Sequence, residues 1–148
     1  VKTHPKKTKE YNNTCPVCGK PLTVGVLNRV EELADREEGF KPDNAIPFKN
    51  LIPLEEIIAE AFEQGTGTKK VMKEYKNLIE KFGGEFEVLL NTAREELKKI
   101  AGPKIAEGVM RVRDGKVNIK PGYDGVYGEI DVFSEQEQEE IPGQETLF

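Results

Sequence analysis

The chain has 148 residues, of which 33% are charged and 36% hydrophobic, with a formal net charge of −5. That is enough for one compact domain and a small module. No apolar run is long enough to span a membrane and no secretory signal is visible, so the cytoplasm is the expected compartment.

Residues 1–14 are polar and basic, with Lys2, Lys6, Lys7 and Lys9, and the start at Val1 rather than Met reads as a fragment. Cys15-Pro16-Val17-Cys18-Gly19-Lys20 follows, then Leu22-Thr23-Val24 as a short strand candidate. Val26, Leu27, Val30, Leu33 and Ala34 recur at helical spacing, which predicts a helix from about Val26 to Arg36. Residues 37–52, with Gly39, Pro42, Asn44, Pro47 and Asn50, read as a linker.

Pro53 is suited to open a helix, and Leu54, Ile57, Ile58, Ala61 and Phe62 form its apolar stripe. Residues 64–70 interrupt it. The next helix carries Val71, Met72, Tyr75, Leu78, Ile79 and Phe82 and stops at Gly83-Gly84. After a short connector over residues 85–90, Asn91 or Thr92 is the expected cap of a third helix, with Ala93, Leu97 and Ile100 facing inward. Residues 101–103 break that helix, and a fourth runs from Lys104 to about Val112.

Asp114-Gly115 is a hairpin turn signal, and residues 121–125 hold a second one. Val117 and Ile119, then Val126, Tyr127, Ile130, Val132 and Phe133, supply strand residues around them. The expected organisation is mainly α. An incomplete zinc-knuckle segment and helix occupy residues 1–36, and the linker residues 37–52. A helical domain spans residues 53–113, a β-hairpin residues 114–133, and a disordered acidic tail residues 134–148. That tail carries Glu135, Glu137, Glu139, Glu140 and Glu145 and no base, so it accounts for the whole net charge and the remaining 133 residues are neutral. Residues 94–120 are basic, with eight bases against four acids. A basic stretch beside an acidic tail suits a nucleic-acid binder; ordinary solvated helix faces give the same composition.

Cys15 and Cys18 have the spacing of half a zinc site, with Gly19 closing the turn. A tetrahedral structural site needs further ligands. The chain has no other cysteine, and His4, its single histidine, is a candidate third ligand. A thioredoxin-like redox pair needs a preceding strand, which the polar lead-in from Tyr11 to Thr14 does not supply.

Gly65-Thr66-Gly67-Thr68-Lys69-Lys70 and Ala101-Gly102-Pro103-Lys104 each lie between two helices. Glycines there let backbone amides approach a phosphate, and the following helix N-terminus favours an anion. The spacing is not that of a nucleotide-binding P-loop. Two such units in tandem have the layout of helix-hairpin-helix elements, which grip DNA backbone without reading bases. On that reading Gly65, Gly67, Lys69, Gly102 and Lys104 are the phosphate contacts. Short glycine turns of a plain helical bundle share the layout. Tyr123, Tyr127 and Phe133 are candidates for base stacking or for packing the hairpin.

No catalytic constellation is present: with one histidine and no G-x-S-x-G, a Ser-His-Asp triad has no place. At the C-terminus Gln144, two spacers, Leu147 and Phe148 have the pattern with which many bacterial replication and repair proteins engage the sliding clamp. The Leu-Phe pair fits an apolar pocket and the glutamine amide its rim. This makes Gln144, Leu147 and Phe148 candidate clamp-binding residues and suggests that this end of the chain is natural.

Residues 15–27, Arg29-Val-Glu-Glu-Leu-Ala-Asp-Arg36, Ile52-Pro-Leu-Glu-Glu-Ile-Ile-Ala-Glu60 and residues 122–128 together resemble the C-terminal part of the endonuclease Q family. Those are DNA-repair proteins with an N-terminal PHP phosphoesterase domain, and some relatives carry a UvrD-type helicase label. The resemblance implies cleavage of DNA on the 5′ side of deaminated or damaged bases, with the metal-dependent chemistry in the PHP domain, whose His/Asp motifs do not occur here. It also implies that two zinc ligands precede this chain and that Cys15 and Cys18 are the second pair. Asn28 stands where the family is expected to have histidine. The implied function is a non-catalytic region that binds DNA and recruits a clamp for a repair endonuclease. The competing reading is a protein-interaction adaptor that does not bind DNA.

Overall fold

The computed structural model describes residues 3–122 and 125–133. The chain divides into two units, one of Val1–Pro47 with Tyr123–Val126 and one of Phe48–Gly122 with Tyr127–Phe148.

The first unit holds helices α1, Pro5–Glu10, and α2, Val26–Leu33. The basic leader is thus partly helical. His4 caps α1, its Nδ1 accepting from the Lys6 amide at 3.3 Å, and Pro5 takes the first helical position, where its missing N–H costs nothing. Between the helices lies the cysteine turn. Thr14 and Pro21 form an antiparallel bridge, the Cys15 amide donates to Lys20 O at 2.8 Å, and the Gly19 amide donates to Cys15 O at 2.9 Å. Gly19 has φ 68, which a side chain would resist. Leu22-Thr23-Val24 forms no strand; beyond the bridge at Pro21 the Leu22 amide donates to Asn13 O at 2.7 Å and the pairing ends there. Helix α2 stops three residues short of the expected Arg36, since Ala34 is already extended at ψ 121. Val26, Leu27, Val30 and Leu33 form the expected stripe, but all four are exposed and no residue of α2 is buried.

The second unit is built on α3, Leu54–Phe62, α4, Lys69–Phe82, α5, Arg94–Ala101, and α6, Pro103–Asp114. Helix α3 packs on α4 and α6, and α5 packs along α6. Leu54, Ile57 and Ile58 from α3, Val71 and Leu78 from α4, Leu97 from α5, and Ile105 and Val109 from α6 are fully buried. Burial of each such side chain contributes roughly 1.5–3 kcal/mol. Leu51 and Ile52, expected in the linker, join this core, so the linker gives way to the domain near Phe48.

The helix ends follow identifiable chemistry. Pro53 precedes α3 and brings no side-chain cap; the Leu54 amide donates instead to Glu85 Oε1 at 2.8 Å, from 31 residues away. Tyr75 donates to the other oxygen of that carboxylate at 3.0 Å. Gly83, φ 85, ends α4 as expected. The connector after it is a single π turn, Glu87–Asn91. Asn91 and Thr92 do not cap α5, because both serve the π turn. Thr92 Oγ1 donates to Glu87 O at 3.0 Å and Asn91 Nδ2 to Glu87 Oε2 at 2.8 Å. Ala93 precedes α5 without a side-chain cap.

Asp114-Gly115 does not form the hairpin turn. Gly115, φ 68, terminates α6. The antiparallel pair is β1, Asn118–Lys120, with β2, Glu129–Asp131, in the register Asn118↔Asp131, Ile119↔Ile130, Lys120↔Glu129. After β2, Val132 and Phe133 turn into the core, and their amides donate to Glu60 Oε2 and Oε1 at 2.9 and 2.8 Å. The acidic tail, residues 134–148, lies outside the described residues. Among the described residues no helix is long and apolar enough to cross a membrane.

Candidate nucleic-acid interface

The turn between α3 and α4 begins at Glu63, in the left-handed conformation with φ 55 and ψ 43. Gln64 donates its amide back to Ala59 O at 2.9 Å, and the Thr68 amide donates to Gly65 O at 3.2 Å. Thr68 then caps α4, with Oγ1 3.5 Å from the Val71 amide. Gly65, Thr66 and Gly67 are exposed, and among the described residues their amides donate to no group of the protein.

Neither glycine is required by the fold. A Cβ built at Gly65 or Gly67 meets no atom within 4 Å, and neither residue has the positive φ that favours glycine. This separates them from Gly83 and Gly102, with φ 85 and φ 83, whose conformation alone calls for glycine. A bare backbone at an exposed turn, at a helix N-terminus and beside exposed Lys69, suits close approach by an anion. Lys70, next along, lies over the Phe62 ring at 4.3 Å.

The turn between α5 and α6 is one residue, Gly102, followed by Pro103 at the start of α6. Lys98 and Lys99 stand exposed in the last turn of α5. Lys104 departs from its expected role. It is 3% exposed, and its Nζ contacts Glu63 Oε1 at 2.8 Å, so its charge faces the other turn rather than solvent. Glu63 is held below the usual glutamate range, first by that hydrogen bond and then by the lysine's charge.

Most of the bases of residues 94–120 are engaged by other groups of the protein, several of them at its surface. Arg94 and Arg111 bond Glu107 at 2.6 and 3.3 Å, and Lys116 pairs with Asp114 at 2.9 Å. Lys120 pairs with Asp131 across the hairpin at 2.9 Å. Arg113 donates to Leu89 O and Val88 O, each at 2.7 Å, closing carbonyls of the π turn, and burial pushes its pKa down. Of the eight bases, Lys98 and Lys99 are the ones with neither an ion-pair nor a side-chain hydrogen-bond partner among the described residues. Sequence reasoning missed Glu63, whose partner is 41 residues distant and which no local motif marks.

The aromatic candidates separate. Phe133 is 1% exposed and belongs to the core, whereas Tyr127 is 95% exposed. Tyr123 lies outside the described residues, as do Gln144, Leu147 and Phe148.

At the cysteine turn, Cys15 is buried and Cys18 exposed. Backbone amides of Cys18 and then Val17 donate toward the Cys15 sulfur and lower its pKa. Stabilising the thiolate in this way suits a metal-ligating cysteine, so the two residues fit half of a zinc site. His4 does not join them. Its Nδ1 faces the Lys6 amide, and no group of three His, Cys, Asp or Glu capable of holding a metal occurs among the described residues.

Residues 53–116 match the family model of the MJ0043 C-terminal domain. The chain is 44% identical over 125 residues to the uncharacterized protein MJ0043 of Methanocaldococcus jannaschii, covering 82% of this chain and 15% of that protein. It is 32% identical over 137 residues to the uncharacterized protein YqxK of Bacillus subtilis, covering 82% of this chain and 32% of that protein. Among solved structures it is similar to the lesion-specific endonuclease PfuEndoQ of Pyrococcus furiosus. There the TM-score is 0.73 at 29% identity, over 97% of this chain and 37% of that one. It is also similar to endonuclease Q in complex with a 27-mer duplex substrate carrying an abasic lesion at the active site. That TM-score is 0.69 at 32% identity, over 92% of this chain and 33% of that one. The chain thus spans well under half the length of these relatives. The two structural likenesses relate it to endonuclease Q.

Proposed function

We propose, from the relation to endonuclease Q, that this chain is the DNA-backbone-binding part of a lesion-directed repair endonuclease whose catalytic groups lie elsewhere. The carrying observation is the pair Gly65 and Gly67: exposed, with amides that no group among the described residues takes up, and glycine without an internal reason. Lys69, Lys98 and Lys99 supply exposed positive charge around the two turns. Gly102 supplies the second turn. The pattern is that of paired helix-hairpin-helix elements, which hold phosphates and carry no sequence information.

The test is fluorescence anisotropy of the 148-residue chain on duplex DNA across a salt series. Three lysine–phosphate contacts give a slope of roughly −2.7 in log affinity against log salt, or about a fortyfold loss from 50 to 200 mM. Gly65→Ala with Gly67→Ala does not lower the melting temperature, because the added methyls meet open space at an ordinary φ, yet weakens DNA binding. Affinity that stays flat with salt, or survives both glycine substitutions, would leave the adaptor reading in its place.

Two further parts belong to this reading. Cys15 and Cys18 hold structural zinc with ligands beyond those in this chain. Gln144, Leu147 and Phe148 engage a sliding clamp, and Leu147→Ala with Phe148→Ala abolishes clamp capture while leaving DNA affinity intact. Clamp capture that survives both substitutions would remove the tail from the proposal.

A further inference from the structure

Lys104 lies where a lone lysine is least favoured. It is in the first turn of α6, at the positive end of the helix dipole, and is 3% exposed. Glu63 is equally unusual. It takes the left-handed conformation at the end of α3, φ 55, where glycine is the common residue and a side chain costs roughly 1–2 kcal/mol. Backbone and dipole both oppose this choice of residues. The pair is half exposed, with the Glu63 side chain 64% accessible, and an ion pair open to solvent adds little stability. What the pair accomplishes is geometric. Glu63 lies two residues before Gly65 and Lys104 two residues after Gly102, so a single 2.8 Å contact ties the two glycine turns together. The Phe133 ring, 6.0 Å from Nζ, walls the ammonium on another side.

We propose that Glu63 and Lys104 are a positioning pair, which holds the two turns at one spacing so that both meet the backbone of the same duplex. Lys104 itself does not touch DNA. The inference rests on the DNA-backbone reading and deepens it. Phosphates recur about every 3.4 Å along a strand. Binding sites generally need their groups held within about 0.5 Å, so turns that drift apart lose simultaneous contact.

The test compares wild type, Lys104→Met, Glu63→Gln and the double variant on duplex DNA, alongside their melting temperatures. Lys104→Met replaces the buried charge with an apolar side chain of similar length and keeps the fold. It weakens DNA binding about tenfold, the equivalent of roughly 1.4 kcal/mol. Glu63→Gln weakens binding similarly, the double variant binds no worse than either, and the salt slope stays that of wild type. The exchange Glu63→Lys with Lys104→Glu conserves the combined length of the two side chains and restores part of the affinity.

A salt slope that loses about 0.9 in Lys104→Met, with Glu63→Gln at or above wild-type affinity, makes Lys104 a direct phosphate contact and overturns the inference. A double variant that binds as wild type does also overturns it, and leaves the DNA reading standing. Absence of salt-dependent binding by wild type sinks that reading, and this inference with it.

Discussion

Replacing Gly108 with alanine tests whether the seam between α3 and α6 is as tight as the structure shows. Gly108 lies mid-helix in α6 at an ordinary helical φ. On propensity alone alanine there would stabilise the helix by about 0.5–1 kcal/mol. The added Cβ, however, falls 2.7 Å from Ile57 Cγ2 and 3.1 Å from Phe133 Cζ. Carbon atoms prefer roughly 3.5–4.0 Å, so the seam must open by close to an ångström at Ile57. Both neighbours are fully buried, with no exposed route to swing away. Overpacking of this kind costs about 1–3 kcal/mol, which leaves a net loss of roughly 1–2 kcal/mol after the propensity gain. For a domain of this size that is a fall of about 4–16 °C in melting temperature. Urea denaturation followed by circular dichroism reads it directly. Ile57→Ala removes the clashing methyl, so the double variant Gly108→Ala with Ile57→Ala loses less than the sum of the two singles. A higher urea midpoint in Gly108→Ala would refute the packing argument, since helix propensity would then be the larger effect.

Glu85→Ala strips the acceptor from the Leu54 amide and the Tyr75 hydroxyl together, at a cost of about 1–3 kcal/mol measurable in the same denaturation assay. The same carboxylate raises the Tyr75 pKa, so an alkaline absorbance titration of wild type against Tyr75→Phe shows one late-ionising tyrosine, which Glu85→Gln brings back toward the normal range. Glu63 titrates below the usual glutamate range because of Lys104. Its contribution to stability is therefore complete at neutral pH and is lost as the pH falls through that depressed value. The stability gap between wild type and Glu63→Gln closes in acid, and a gap constant across the acid range would contradict this. Cobalt added to the isolated chain gives weak, substoichiometric thiolate absorption that vanishes in Cys15→Ser with Cys18→Ser; a tight one-to-one complex would mean that further ligands of this chain complete the site.

The helices of the second unit were legible because their stripes are strongly periodic and their ends carry Pro53, Gly83 and Gly102. The π turn was not legible. It engages Thr92 with the Glu87 carbonyl and Asn91 with the Glu87 carboxylate, which removed both from the cap expected of them. Asp114-Gly115 is ambiguous in sequence, since glycine in the left-handed conformation serves a hairpin turn and a helix end alike; here α6 continues to Asp114 and uses it. The stripe of α2 was legible as a pattern, but periodicity reports which residues share a face and not what covers that face. Both glycine turns were legible as candidate phosphate sites. Why Gly65 and Gly67 differ from Gly83 and Gly102 was not, because it depends on backbone angles that a glycine in sequence does not disclose.

Charge gave the least reliable guidance, and the structure explains why. The total of −5 belongs to the tail, and six of the eight bases over residues 94–120 are engaged by Glu107, Glu63, Asp114, Asp131 or the carbonyls of the π turn. Amides at a bare turn contribute nothing to a count of charges, yet they are directional donors that need no counter-ion. A surface that grips phosphate chiefly through such amides, with three exposed lysines beside them, will bind a duplex modestly and without preference for sequence. On that reading, choice of lesion comes from whatever part of the protein reaches the damaged base. On the proposed reading, the task of this region is to fix the duplex in place, and the spacing of its two turns matters more for that than the number of its positive charges.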